Sequence, residues 1–177
     1  MLSGKRIIEE VKKGRIEISP FEPKKMGPNS YDLTLDRTLQ VYKRFLGMPL
    51  NPKVKTDTEK WMIPDDGLSL RPGILYLGNT VEVAGSKYYI PCIEGRSSLA
   101  RLGVQIHMTA GFGDIGFVGQ WTLEIQVVHS VILYPNMRVC QIYFSPIVGD
   151  YNLYDGKYKN SKGVISSRAY EDKEFKS

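Results

Sequence analysis

The stretch Trp121-Thr122-Leu123-Glu124-Ile125-Gln126-Val127 (residues 121–127, WTLEIQV) alternates strictly, with Trp121, Leu123, Ile125 and Val127 on one face and Thr122, Glu124 and Gln126 on the other. Period-two alternation of this kind predicts a half-buried β-strand. The apolar face demands a core, so the question is what the polar face meets. Facing bulk solvent, Glu124 is unremarkable. Beside a bound base, partial burial and Arg101 would tune its pKa and let it move protons as a general acid and base.

Just upstream, residues 109–117 (TAGFGDIGF) alternate small residues with aromatics, which predicts a hairpin whose backbone comes close to a flat ligand. Asp114 stands at its centre, either as a turn former or as a site carboxylate. Residues 95–102 (GRSSLARL) predict a strand running into one helical turn, capped by Ser97 or Ser98. Backbone N–H groups at such a start can grip a phosphate. Ser97 and Arg101 are four residues apart, so a hydroxyl and a guanidinium can meet at one ligand. His107 and His129 are the only histidines, expected to be structural and a surface loop residue respectively. No His/Cys group has metal-ligand spacing, and the H-x-E…P-C-x-x-C signature of zinc deaminases is absent, Pro91-Cys92 being followed by no second cysteine.

Further out, strand patterns recur with frequent turn signals. Residues 31–35 follow a turn at 27–30 and put Tyr31, Leu33 and Leu35 on one face. Asp32, on the other, is either solvated or holds a loop or neighbouring subunit near a site. Residues 68–83 pattern as strand around the turn Arg71-Pro72-Gly73, and residues 87–93 (KYYIPCI) as a strand whose Pro91 argues for an edge or a bulge. Residues 131–133, the turn Tyr134-Pro135-Asn136 and residues 138–147 complete a pattern that predicts a sandwich or barrel. Beyond that one turn, a short amphipathic helix is expected at residues 2–14, with Ser3 as cap, an apolar stripe of Leu2, Ile7, Ile8 and Val11, and solvent-facing lysines and glutamates. Residues 43–66, with isolated Phe45, Met48, Leu50 and Trp61, read as a long irregular connection, and the last 28 or so residues as a poor core segment, either a loose tail or an arm that orders on a ligand.

The 177 residues suffice for one domain that buries roughly two-thirds of its unfolded surface without metal or disulfide staples. The formal charge of +5 is dispersed among acids rather than gathered in a basic run, which favours a small polyanion such as a nucleoside triphosphate over a DNA or RNA duplex. Cys92 and Cys140 lie in separate apolar runs and predict buried reduced thiols in a cytoplasmic protein. No signal peptide or membrane span is expected.

Several of these segments occur together in one family. SYDLTL at 30–35, EGRSSLARLGV at 94–104, the Thr109-Ala110…Asp114…Glu124 spacing, MRVCQIYF at 137–144 and GKYKNSKGVISSRAY at 156–170 resemble the dCTP deaminase branch of the trimeric dUTPase-like superfamily over nearly the whole chain. The resemblance implies a mainly β, distorted barrel or jelly-roll-like subunit in a homotrimer, with active sites at subunit boundaries and Mg²⁺ arriving on the triphosphate rather than on protein ligands; no zinc is implied. It implies a β domain over residues 1–148 and an arm at 149–177 closing over the nucleotide. Ser97, Arg101 and Glu124 match the deamination residues, with Asp114 a candidate for attack on the α-phosphate. Arg96, Ser98, Thr109, Ala110, Gln141, Lys157, Tyr158, Lys162 and Arg168 are candidate nucleotide-binding residues, and Tyr170 is a second candidate to cover the base. Thr109-Ala110-Gly111-Phe112 and Gln141 resemble members that also cleave dUTP to dUMP and diphosphate. Two positions depart from the pattern: Gly113 replaces a branched residue, which predicts a looser hairpin, and Ser161 replaces a glutamine that contacts triphosphate. The expected partners are dCTP and dUTP, with dTTP a candidate inhibitor. The rival readings are a plain dUTPase and a nucleotide-binding trimer without turnover.

Overall fold

The computed structural model describes residues 1–43 and 49–175; Phe45 and Met48 therefore lie outside the described residues. Helix α1 (Gly4–Lys12) forms as expected, the Ser3 hydroxyl accepting the Arg6 N–H at 3.3 Å. Its acids do not all face solvent. Glu10 is fully buried because Arg6, Lys13 and Arg15 surround it at 3.1, 3.3 and 3.5 Å and supply the charge that burial would otherwise leave unpaired.

Among the described residues eleven strands follow: β1 (Ile16–Ser19), β2 (Tyr31–Thr34), β3 (Thr38–Tyr42), β4 (Thr58–Met62), β5 (Leu68–Leu70), β6 (Tyr76–Ser86), β7 (Ile90–Gly95), β8 (Val104–Gln105), β9 (Val118–Val127), β10 (Val131–Leu133) and β11 (Arg138–Ser145), with the short helix α2 (Ser97–Ala100) after β7. The main antiparallel sheet has the order β4-β3-β6-β9-β8, with β1 pairing the far half of β6. A second sheet is β2-β11-β7, and β5 pairs β10. Together they curl into a half-barrel closed on one core that includes Tyr31, Leu33, Leu39, Ile125, Ile142 and Phe144.

Strand β4 lies inside the stretch expected to be irregular. Its five residues, TEKWM, carry two exposed charges and fail the alternation test, yet they complete a full ladder with β3, and only Trp61 reaches inward, edge-on to Tyr76 at 6.0 Å. Charged residues on an edge strand discourage further pairing, and that disguises the strand in sequence.

The β6–β9 pair positions everything that follows. Leu77 stands opposite Glu124 and Asn79 opposite Thr122, after which the register shifts so that residues 80–82 bulge against Trp121 and Val83 faces Gln120. The Thr80 hydroxyl stitches the bulge, donating to the Glu82 carbonyl at 2.7 Å and accepting the Trp121 N–H at 3.0 Å. The bulge turns the Glu82 carboxylate inward, where it accepts from Lys25 (2.9 Å) and from the Thr34 N–H and hydroxyl (2.9 and 2.8 Å). This buried ion pair ties β2 and the turn at Pro23–Lys25 to β6.

Beyond β11 the chain forms no further strand among the described residues. Apart from two 3-10 turns, Ala169–Glu171 and Lys173–Phe175, it runs back as an irregular segment over the polar face of the main sheet.

Candidate active site

On β9 the predicted alternation is realised: Trp121, Leu123, Ile125 and Val127 are buried, and Gln120, Thr122 and Glu124 face away from the core. That polar face forms part of a cavity of about 460 Å³. Leu77 and Glu124 contribute to its floor, residues 110–114 form one side, and Tyr154, Tyr158 and residues 165–167 of the C-terminal segment form the roof. Burial pushes the Glu124 carboxyl above the usual glutamate range, opposed by its own backbone N–H and by His107. Arg101, expected beside Glu124, is exposed and does not line the cavity.

Residues 109–114 are not a hairpin. They run along the free edge of β7: the Ile93 N–H donates to the Gly111 carbonyl (2.7 Å), the Gly113 N–H to the Pro91 carbonyl (2.9 Å), and Cys92 bridges Phe112. Pro91 is thus on an edge, as its missing N–H requires, and the edge is covered by this segment. The approach is close. A Cβ at position 113 would lie 2.2 Å from the Trp121 ring, so Gly113 makes room for Trp121 rather than loosening the loop. Asp114 then opens a turn, its carbonyl accepting the Phe117 N–H at 3.1 Å, with Gly116 at φ +100° as a type II turn needs at its third residue. The Asp114 side chain is exposed and borders the cavity, as does Ala110; Thr109 is exposed and does not. His107 lies just past β8 with Nε2 3.5 Å from a Glu94 oxygen, its Nδ1 buried without a hydrogen-bond partner.

A second group stands apart from the cavity. Arg96 is still extended (φ −88°, ψ 132°) and is itself the N-cap of α2, so Ser97 is already helical and neither serine caps the turn. Ser97, Ser98 and Arg101 are exposed. Arg96 reaches Asp32 (3.4 Å) and the Arg138 carbonyl (3.2 Å), and Arg138 reaches the other Asp32 oxygen (3.2 Å). Asp32, partly exposed, thus braces the two arginines. Gln141 accepts from the Ser30 hydroxyl (2.8 Å) and donates to the Gly95 carbonyl (3.3 Å), also outside the cavity.

Lys157 and Arg168 are engaged within the arm. Lys157 donates to Asp172 (2.6 Å) and the Arg168 carbonyl (3.0 Å), and lies 5.5 Å from the centre of the Tyr158 ring. Arg168 makes a two-bond pair with Glu171 (2.8 and 2.6 Å) and donates to the Lys157 carbonyl. Lys162 is exposed. Tyr158 lines the cavity and Tyr170 does not.

A profile of the dCTP deaminase-like family matches residues 1–147. The chain belongs to that family. It is 50% identical over 173 residues to "dCTP deaminase, dUMP-forming" of Clostridium botulinum (strain Eklund 17B / Type B), covering 97% of this chain and 98% of that protein. The protein of the same name from Leptospira biflexa serovar Patoc (strain Patoc 1 / Ames) is 43% identical over 177 residues, 99% of each chain. Among solved structures, the 2'-deoxycytidine 5'-triphosphate deaminase of Agrobacterium tumefaciens superposes with a TM-score of 0.62 at 19% identity, over 81% of this chain and 47% of that one, a likeness of fold.

In this member of the family, several cavity residues carried no signal that singled them out in the sequence. Thr122 and Gln120 share the Glu124 face, so extending the alternation of β9 by two residues reaches Gln120. Leu75, Leu77 and Tyr42 had no comparable cue, because they come to the cavity through pairing of β3 and β6. Phe117 packs edge-on against Trp121 (4.9 Å) and Tyr154 (6.3 Å), linking the loop to the arm. Among the described residues no group of three or more His, Cys, Asp or Glu comes together that could hold a metal.

Proposed function

We propose that this protein deaminates dCTP to dUTP and continues to dUMP. The observation that carries the reading is Glu124, a carboxyl with raised proton affinity on the floor of a cavity it shares with Ala110 and Asp114. Identity of 50% to a dUMP-forming dCTP deaminase over almost the full chain supports it.

In the first step Glu124 takes a proton from water as the oxygen attacks C4 of the cytosine ring. Protons then pass to N3 and to the departing amine, so dCTP and water give dUTP and ammonia. The Ala110 backbone lines the base pocket. Ser97 and Arg101 orient the water and the carboxylate, and since neither borders this subunit's cavity, they come from a neighbouring copy in a homotrimer. Arg96, Ser98 and Gln141 belong to the same contributed surface and meet sugar or phosphate, while Thr109 sits at the rim. In the second step Asp114 activates water for attack at the α-phosphate, releasing diphosphate. Mg²⁺ enters with the triphosphate as part of the substrate. Residues 1–148 form the catalytic body and 149–177 the arm over the nucleotide, with Tyr158 against the base, Lys157 and Arg168 exchanging carboxylate partners for phosphate, and the exposed Lys162 joining them. We place the protein in the cytoplasm, with dTTP as a candidate inhibitor.

Incubation with dCTP, with and without Mg²⁺, tests the reading directly. The expected products are ammonia, dUMP and diphosphate. Asp114→Asn is expected to stop at dUTP, and absence of ammonia from the wild-type protein would leave a plain dUTPase or a binding protein.

A further inference from the structure

We propose that Gln120 and Gln40 form a clasp that fixes the C-terminal segment over the cavity, making both positioning residues for substrate binding. The inference rests on the reading that the cavity takes the nucleotide. It starts from the β6 bulge, which leaves the Thr80 and Val81 carbonyls out of the ladder. The Gln120 side-chain nitrogen donates to both, at 3.0 and 3.1 Å. Two acceptors on that side decide which end of the amide faces outward, because only the NH₂ can satisfy them. Its oxygen is thereby aimed at the arm, where it accepts the Gly163 N–H at 2.6 Å.

Neighbouring contacts follow the same logic. The Gln120 backbone N–H donates to the Ser161 carbonyl at 2.9 Å, and Gly119 leaves the strand edge open, since a Cβ there would lie 2.9 Å from the Ser161 nitrogen. Across β6, the Gln40 oxygen accepts the Thr58 hydroxyl (2.8 Å), which turns its nitrogen to the Val164 carbonyl (3.2 Å). The Thr122 hydroxyl accepts the Ile165 N–H (3.1 Å) and the Tyr42 hydroxyl the Ser167 N–H (2.8 Å). Val164 is buried between these bonds. The arm is therefore held through its backbone by side chains of β3 and β9, two of which are oriented beforehand by the body of the protein. Because Tyr158 and residues 165–167 wall the cavity, the clasp sets the shape of the substrate site.

Gln40 does not line the cavity, so paired changes in arm cleavage and in KM report an effect carried through the arm. The test uses the full chain with Gln120→Met and Gln40→Leu. Tryptic cleavage after Lys157, Lys159 and Lys162 without nucleotide, and kcat and KM for Mg·dCTP, are measured beside thermal unfolding. Losing one or two such hydrogen bonds predicts roughly tenfold faster cleavage and roughly tenfold higher KM, with kcat nearly unchanged. Cleavage at the wild-type rate in both variants overturns the clasp, and so does a fall in kcat and melting temperature with KM unmoved. If Gln120→Met does not fold because the Val81 carbonyl loses its donor, Gln40→Leu decides alone. If the wild-type protein forms no product from dCTP, the reading of the cavity falls, and the cleavage comparison still decides whether the clasp exists.

Discussion

At Glu124, burial suits the proposed proton transfer and opposes stability, and the sign of its shift links the two. Its folded-state pKa is raised, so between the ordinary glutamate value and that higher value the native state holds a proton the unfolded chain has lost. Stability therefore falls as pH rises through this window. Glu124→Gln removes the penalty and is expected to leave the melting temperature near neutral pH equal or higher, while ammonia release drops by about 10²-fold or more and Mg·dCTP still binds. Melts and turnover of both proteins across pH check this. The acid limb of kcat/KM in the wild type should lie above the usual carboxylate range, and a limb at the ordinary glutamate value would remove Glu124 from the general-base role. The face that carries Glu124 was legible because alternation on one strand is a local signal. His107 as its electrostatic neighbour was not, since the pairing of β8 with β9 brings them together across some 17 residues of chain.

The element most in need of correction is the segment at 109–114, and the reason is physical. Glycines alternating with aromatics suit a hairpin and equally suit a strand-like run laid on another strand's edge, and only the partner distinguishes them. The partner is β7, placed by its pairing to β11. Gly113→Ala puts a methyl into the Trp121 ring and is expected to cost about 1–3 kcal/mol, seen as a lower melting temperature. An unchanged melt would mean that the loop stands off Trp121. The buried Lys25–Glu82 pair makes a sharper case: Glu82→Ala leaves the almost fully buried ammonium to Glu22 alone and strands two Thr34 donors, at roughly 2–4 kcal/mol by denaturant titration. Strands with clean alternation, β2 and β9, were readable outright, and β11 from its apolar run between turn signals. Strand β4 was hidden because an exposed edge tolerates charges, and the order of strands was hidden because pairing partners are distant in sequence.

For the molecule as a whole, the candidate residues divide between a cavity holding Ala110, Asp114, Glu124 and Tyr158 and an outward surface holding Arg96, Ser97, Ser98, Arg101 and Gln141. Motif spacing put both groups in one site but could not say in how many chains. A closed ring in which each cavity meets the exposed turn of the next copy satisfies both facts, since a rotational operator repeats the same contact at every boundary. Mixing separates this from a site built within one chain. Glu124→Gln spoils only the cavity half and Arg101→Ala only the turn half, so each variant alone should be inactive. When the two are unfolded together and refolded in equal amounts, a boundary is intact only if a good cavity meets a good turn, each with even odds, which predicts about a quarter of wild-type ammonia release. Sites confined to one chain give no recovery at any mixing ratio, because every chain then carries one broken half.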